Sequence, residues 1–249
     1  MIMDDLTLLV QIAAIGLAAG FIHSAIGFGF GIVAVTLLPL VLDVHLAHII
    51  ISTAGVPVLL MAAWTYRKGA DWPSLWRAIV GAAICLPLGQ FAFEGLSGDL
   101  LVRGTGIAIL VMVWISFHNR RLAAGSEPKR DGSAWLAGAI GGFLAGAVSI
   151  AGPPIAAFAL GQGWEQARFK SFLNQFLVFV SIYRVAGLAV RGYVDQPILL
   201  HAALLAPVAI VGIQIGAIAS RRLSTQLFQR CVATCLITIA CYFVIRGAP

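Results

Sequence analysis

The chain has 249 residues, of which 60% are hydrophobic and only 10% charged, with a mean hydropathy of +0.97. Soluble domains carry about 25% charged residues, so this composition excludes an ordinary soluble domain and points to a polytopic membrane protein. The net charge of +6 does not describe a nucleic-acid surface, because the basic residues lie in short clusters between apolar runs and read as topology signals.

Asp4 and Asp5 precede the first apolar run, where a cleavable signal would carry basic residues, so no signal peptide is expected. Apolar segments follow at about 6–26 with a short continuation at 32–42, then 46–66, 73–95, 100–118, 133–150 with a continuation at 155–161, 171–190, 198–219 and 226–246. Most reach the ~20 residues that span a bilayer as a helix, and the two continuations do not. Only residues 119–132, with Arg120, Arg121, Gly125, Pro128, Lys129 and Arg130, have the composition of a long loop. They divide the chain into a first repeat (1–118), a cytoplasmic linker (119–132) and a second repeat (133–249).

Two helix breakers interrupt segments that should be continuous: Gly27-Phe28-Gly29-Phe30-Gly31 and Ser149-Ile150-Ala151-Gly152-Pro153-Pro154. Unpaired backbone is costly in lipid and is tolerated only where protein or a water-filled cavity covers it. Gly16, Gly20 and Phe21 align with Gly138, Gly142 and Phe143 at an offset of 122, which sets the two breaks opposite each other, and Pro87 aligns with Pro207 after a shift of two. Related halves with matched breaks are the sequence mark of a transporter built from repeats.

The distribution of Lys and Arg favours one topology. If every segment crosses, eight of the loop charges are cytoplasmic and five are not; if each broken segment turns at its break and returns, the count is ten against three. The second arrangement gives each half one re-entrant hairpin and three crossings, so the halves are inverted repeats of an all-α integral membrane protein, with a periplasmic N-terminus.

A helix that restarts after a break presents N–H groups without intrahelical partners and a partial positive charge, which suit an anion. Gly27, Gly29 and Gly31 let backbone approach a ligand, and Pro153 or Pro154 fits the first helical position, where an N–H is not needed. The expected substrate site combines His23, Ser24, Gly27, Gly29, Gly31, Ser149, Gly152, Pro153, Asn174 and Arg184, with the two breaks facing each other. The pairs Gly16/Gly20, Gly138/Gly142, Gly142/Gly146 and Gly212/Gly216 have the spacing of helix-packing surfaces instead. The run from Gly27 to Gly31 lacks the spacing of a dinucleotide fingerprint, and no strand precedes it.

Gly20-Phe21 with Gly27, Gly29, Gly31 and Pro39, followed in the second half by Gly142-Phe143, Gly146 and Gly152-Pro153, resembles the sulfite exporter TauE/SafE family, also called the toluene sulfonate uptake permease (TSUP) group. The resemblance covers essentially the whole chain. It implies transport of small sulfur-containing or organic anions, such as sulfite, sulfoacetate, sulfonates and carboxylates, across the bacterial inner membrane. Members often have adjacent glycines in the first motif, whereas here Phe28 and Phe30 alternate with them, so bulky rings either narrow the site or pack an organic moiety.

Polar groups inside the membrane are default functional hypotheses. His23 either binds an anion or carries a proton, its charge changing near neutral pH, or is a neutral histidine bonded to a neighbouring helix. Arg184 either presents a bidentate guanidinium to a sulfonate or carboxylate or snorkels to the periplasmic interface. Asn174 and Gln175 are placed at an inner mouth, and Arg168 and Lys170 are read as topology charges near the surface. Glu94, aligned with Gln214 and one turn from Gln90, is a second proton-coupling candidate or an interfacial carboxylate. Trp64, Trp72, Trp76, Trp135 and Trp164 read as interface anchors. Cys85, Cys231, Cys235 and Cys241 lie in apolar segments without metal-ligand spacing and read as buried small hydrophobes.

These features predict a multi-pass secondary transporter working by alternating access, without catalytic residues, metal or organic cofactor. The expected partners are a small anionic substrate and the lipid bilayer, with a homodimer left open and nucleic acid excluded. An anion channel built from the same breaks is one alternative. A membrane-embedded hydrolase, with Ser149 or Ser24 as nucleophile and His23 as base, is another, but it lacks a nucleophile motif. A membrane scaffold is the third.

Overall fold

The computed structural model describes residues 2–95, 133–220 and 224–246, together with 100, 103, 104, 106, 107, 110, 111 and 114. The linker 119–132 and most of the segment 100–118 lie outside the described residues. Nine α-helices are defined among the described residues: α1 (Ile2–Ile26), α2 (Phe30–Leu37), α3 (Val44–Thr65), α4 (Trp72–Gly95), α5 (Ser133–Val148), α6 (Gly152–Gly161), α7 (Gln166–Val190), α8 (Gln196–Ser220) and α9 (Thr225–Arg246), with a 3₁₀ turn at Leu38–Leu40. Acidic and hydroxyl side chains set where four of them start: Asp43, Asp71, Asp195 and Ser224 accept from the backbone N–H three residues on, as N-caps do.

Six of these helices, α1, α3, α4, α7, α8 and α9, are long and apolar enough to cross a membrane, with mean hydropathies of 1.4 to 2.2 over their spans. Many large apolar side chains on them are exposed, among them Leu88, Phe91, Leu200 and Ile218, as lipid-facing surfaces require. The protein is therefore an all-helical, multi-pass membrane protein. The shorter α2, α5 and α6 cannot span alone: the ten residues of α6 rise about 15 Å at 1.5 Å per residue.

The chain forms two compact units. The first joins Met1–Tyr66 with Ser181–Leu223, the second Arg67–Val180 with Ser224–Pro249. Each unit takes helices from both halves of the sequence, because α1 packs on α8 and α5 on α4.

In the first unit α1 and α8 run parallel and meet through glycine. A Cβ added to Gly20 would stand 1.9 Å from the Ala209 carbonyl oxygen, one on Gly212 2.3 Å from that of Leu17, and one on Gly216 2.5 Å from that of Phe21. Lipid is as apolar as the side chains, so such backbone approach, which gains dispersion and excludes lipid, holds membrane helices together. α2 and α3 complete the core, where Phe30, Ala34, Leu38, Ala54 and Val58 pack with Leu205 and Ala209.

The second unit repeats this device. A Cβ on Gly138 would lie 2.0 Å from the Ala78 carbonyl oxygen, one on Gly142 2.5 Å from Ala82 Cα, and one on Gly89 2.0 Å from the Phe143 carbonyl oxygen. The four glycine pairs expected to pack helices all do so. Gly16 against Leu205 corresponds to Gly138 against Ala78, and Gly20 against Ala209 to Gly142 against Ala82, so α4 maps onto α8 with an offset of 127 (205 − 78 and 209 − 82). The Pro87/Pro207 alignment is corrected by this register. It is displaced by seven residues, about two helical turns, and Glu94 no longer pairs with Gln214.

The breaks match residue for residue. α1 ends at Ile26 and α5 at Val148, α2 begins at Phe30 and α6 at Gly152, each pair 122 apart. Gly27 and Ser149 both have positive φ, 93° and 61°, the left-handed conformation that turns the chain out of a helix. After the second break α6 folds back along α5: a Cβ on Gly141 would lie 3.4 Å from the Ile155 side chain, whereas an uninterrupted helix would separate those residues by about 21 Å.

Two surface expectations change. Cys231 and Cys241 are exposed and Cys85 and Cys235 half-buried, all with free thiols, because the outward faces of these helices are themselves apolar. Lys170 is buried to 1% exposure rather than at the surface, since the first turns of α7 are covered by aromatic side chains of its own unit.

Candidate functional site

The polar residues of the first unit gather around its break. α1 ends in His23 and Ser24, exposed by 1% and 0%. The Phe30 N–H, the first of α2, donates to His23 Nδ1 at 3.4 Å. This accounts for one of the orphan donors at the α2 N-terminus, and it requires an unprotonated Nδ1. Gly29, the N-cap, has φ 127° and offers no side-chain cap. The Gly31 and Ile32 N–H groups follow, before the helical ladder begins with Val33 N–H donating to the Gly29 carbonyl at 2.9 Å.

Ser24 is clamped between helices. Its hydroxyl and that of Tyr66, the C-cap of α3, are hydrogen-bonded at 2.5 Å, the Tyr66 hydroxyl lies 3.2 Å from the Ser24 carbonyl oxygen, and a Cβ on Gly216 would stand 2.9 Å from Ser24 Cβ.

Arg184 reaches α3 from α7 at Ser52, 14 residues before Tyr66. Its guanidinium is buried at 7% exposure, and Nε donates to Ser52 Oγ on α3 at 2.9 Å. Burial inside the protein argues against the snorkelling expectation for Arg184. Ser52 in turn donates to the His48 carbonyl at 2.8 Å. One turn along α3, Gly55 lies under the Phe30 ring and against Ser181, itself one turn before Arg184: a Cβ there would be 3.3 Å from Ser181 Oγ and 3.7 Å from Phe30 Cε1. Glycine at position 55 thus lets the start of α2, the middle of α3 and the end of α7 converge. A buried guanidinium beside the Ser52 hydroxyl has the chemistry to receive an oxyanion in a bidentate geometry. Phe30 belongs to the hydrophobic core.

The second break offers fewer donors. α6 begins at Gly152 with Ala151 as N-cap and no side-chain cap. Pro153 and Pro154 fall at its second and third positions, one later than expected, and neither has an N–H. Ser149 is half-buried, its N–H donating to the Ala145 carbonyl at 3.2 Å. Asn174 is fully buried on α7 and donates to the Lys170 carbonyl at 2.7 Å. The first break belongs to the first unit and the second break to the second. Glu94 is helical, but its side chain lies outside the described residues.

Arg168 remains at the surface, paired with Asp71 and stacked on Trp164 at 4.8 Å from the ring centroid. Burial alone would raise the Asp71 pKa, but hydrogen bonds from Ser74 and Arg168 outweigh it and hold the carboxyl below its ordinary value. Trp64, Trp72, Trp76 and Trp135 are exposed, while Trp164 packs edge-on against Phe158 and Phe172. Among the described residues no three His, Cys, Asp or Glu side chains gather as a metal site would need.

Three contributors escape sequence reasoning: Ser52, Tyr66 and the buried Lys170. Ser52 had a usable signal, since it stands 122 residues before Asn174, at the equivalent helix position. Neither the curated proteins nor the solved structures contain a match to this chain. The family profile described as sulfite exporter TauE/SafE matches residues 12–243, nearly the entire chain with both breaks inside it, and the chain belongs to that family of membrane transporters.

Proposed function

We propose that the protein is a secondary carrier that moves a small sulfur-containing or organic anion, such as sulfite, a sulfonate or sulfoacetate, across the bacterial inner membrane by alternating access. Residues 1–118 and 133–249 act as inverted repeats joined by the cytoplasmic linker 119–132. The observation that carries this reading is the buried Arg184 guanidinium, held by Ser52 on α3 one turn from Gly55, which lies under the Phe30 ring. A cation at that depth is costly unless an anion or a hydrogen-bonding cage answers it.

The anion is held by the Arg184 guanidinium, with the Gly31 and Ile32 N–H groups of α2 as further donors, and Ser24, fixed by Tyr66, is a further contact on its path. Gly27 and Gly29 shape the turn that aims α2, and Ser149, Gly152, Pro153 and Asn174 are the substrate contacts we assign to the second unit. His23 supplies proton coupling. Neutral His23 accepts the Phe30 N–H; protonated at Nδ1, it can no longer accept, so that amide is released and a positive charge appears beside the site. Both changes favour anion binding, so proton and anion travel together. Glu94 is the second candidate on the proton path.

Purified protein in proteoliposomes tests the reading. Saturable flux of radiolabelled sulfite or sulfoacetate is expected, accelerated in the direction of an imposed proton gradient. Arg184→Met should reduce it about ten- to hundredfold, the effect of losing a charge-assisted hydrogen bond. Flux that rises linearly with anion concentration without saturating would instead mark a channel, and flux indifferent to pH gradients would remove the coupling step.

A further inference from the structure

One end of the second unit gathers charge that the sequence scatters. Asp71 caps α4 with one carboxylate oxygen, which accepts the Ser74 N–H at 3.2 Å, and with the other it holds Arg168 of α7, 97 residues away. Gly69, at φ 94°, lets the loop lie on α7, where a Cβ would be 3.8 Å from Arg168 Cα. The exposed side chains of Arg67, Lys68, Arg77 and Arg168 are thereby held near the starts of α4 and α7, against the carboxylates of Asp71 and Glu165. The surplus is positive, and it sits at the edge of the apolar span Trp72–Ala92.

Away from those charges the outer face of α4 changes character in order. Trp72 and Trp76, each 67% exposed, come first, and Ile84 and Leu88, 58% and 57% exposed, follow. Arg77, Ile84 and Leu88 share one helical stripe, at spacings of seven and four residues, with the two indoles beside it. The opposite face, at Ala78 and Ala82, is taken up by Gly138 and Gly142 of α5. At 1.5 Å per residue Ile84 lies about 10 Å and Leu88 about 16 Å beyond Arg77. One leaflet of hydrocarbon is about 15 Å deep, half of the ~30 Å core.

We infer that this face of α4 binds a phospholipid with a net negative headgroup, such as phosphatidylglycerol, in preference to a zwitterionic one. Cations, then indoles at headgroup level, then apolar side chains to the depth of one leaflet match such a lipid lying along the helix. A free anion would use only the charged end, and a neutral lipid only the stripe. Arg77 presents a guanidinium fork to the phosphate oxygens and Lys68 an adaptable point charge. Arg168, committed to Asp71, fixes the loop and adds to the field.

Native mass spectrometry of the full chain, released from micelles holding equal amounts of phosphatidylglycerol and phosphatidylcholine, reads the preference. The unsubstituted protein is expected to retain phosphatidylglycerol over phosphatidylcholine. Lys68→Gln/Arg77→Gln should lose about twentyfold of that preference, roughly fivefold for each cation at a lipid surface, with monodisperse elution showing that the variant is folded. No preference in the unsubstituted protein, or one that survives this double substitution, overturns the proposal. Arg191→Gln removes an exposed cation just past the other end of α7 and should change nothing; an equal loss there would mean that overall charge decides, and would overturn the site. Trp72→Leu/Trp76→Leu should weaken retention of both lipids and keep their ratio, and unaltered retention would overturn the placement along α4. Glycerol phosphate, which carries the charge without the chains, should displace no lipid at equal concentration; displacement would identify a site for a free anion instead.

Discussion

The two breaks share a backbone and differ in chemistry. Both turn at a residue of positive φ, both restart a helix at the same offset, and both are anchored by a parallel helix pair with glycine at the seam. Near the first stand His23, Ser24 and Tyr66, with Arg184 held on Ser52 further along α3. At the positions equivalent to His23 and Ser24, the second has Ala145 and Gly146, and two prolines remove N–H groups from the first turn of its restarted helix. α6 is also buried throughout from Gly152 to Leu160, whereas α2 leaves several residues half-buried. One backbone device thus serves two ends: a polar, donor-rich turn in the first unit and an apolar hairpin in the second.

The shared part of the comparison should break most severely. Gly20→Leu and Gly142→Leu each drive a side chain into facing backbone, at Ala209 and Ala82 respectively, and should cost about 3 kcal/mol or more, seen as loss of the monodisperse peak and a collapsed melting temperature. Tolerance of one and not the other would mean that the two seams are not equivalent supports. The chemical difference comes next. His23→Gln keeps an acceptor for the Phe30 N–H at every pH, so the pH dependence expected of transport by the unsubstituted protein should become flat. An unaltered pH profile would remove His23 from the coupling.

A smaller effect is expected from Pro153→Ala, which returns one N–H to the start of α6. Anion affinity should change by less than about tenfold, the scale of one hydrogen bond. An increase would show that the second break touches the anion, and no change that its role is to turn the chain. The smallest effect belongs to Asp71→Asn at the Arg168 pair. The folded carboxyl is held below its ordinary value, so its contribution is present above about pH 4 and fades as the pH falls through the depressed pKa. The melting temperature of the variant should be slightly lower at neutral pH, as for exposed pairs in general, and should converge with that of the unsubstituted protein in acid.

What the sequence discloses follows from what is local. Break positions are local, because Gly27 and Gly152-Pro153 interrupt an apolar run whatever surrounds them, and the structure ends α1 and α5 within two residues of the expected boundaries. The glycine seams are visible for the same reason. Their register is not: small residues recur along these helices, and sliding the alignment by about two turns preserves the pattern, so Pro87/Pro207 looked as good as the register that the Gly89 and Gly216 contacts establish. Ser52 and Tyr66 are ordinary helix residues until Arg184 and Ser24 arrive from distant segments. Lys170 misleads for a related reason, since a basic residue one turn into a helix resembles a topology charge until aromatic side chains close over it.

The seam between α1 and α8 also constrains how the protein is made. Gly16 meets Leu205, so at 5–20 residues per second the ribosome adds the intervening stretch of roughly 190 residues over about ten to forty seconds. Throughout that interval α1 sits in the bilayer with its glycine face turned to lipid or to a helper protein. Pulse-labelled nascent chains halted before residue 196 should therefore crosslink through α1 to lipid or insertion machinery, and chains released beyond residue 220 should lose that crosslink.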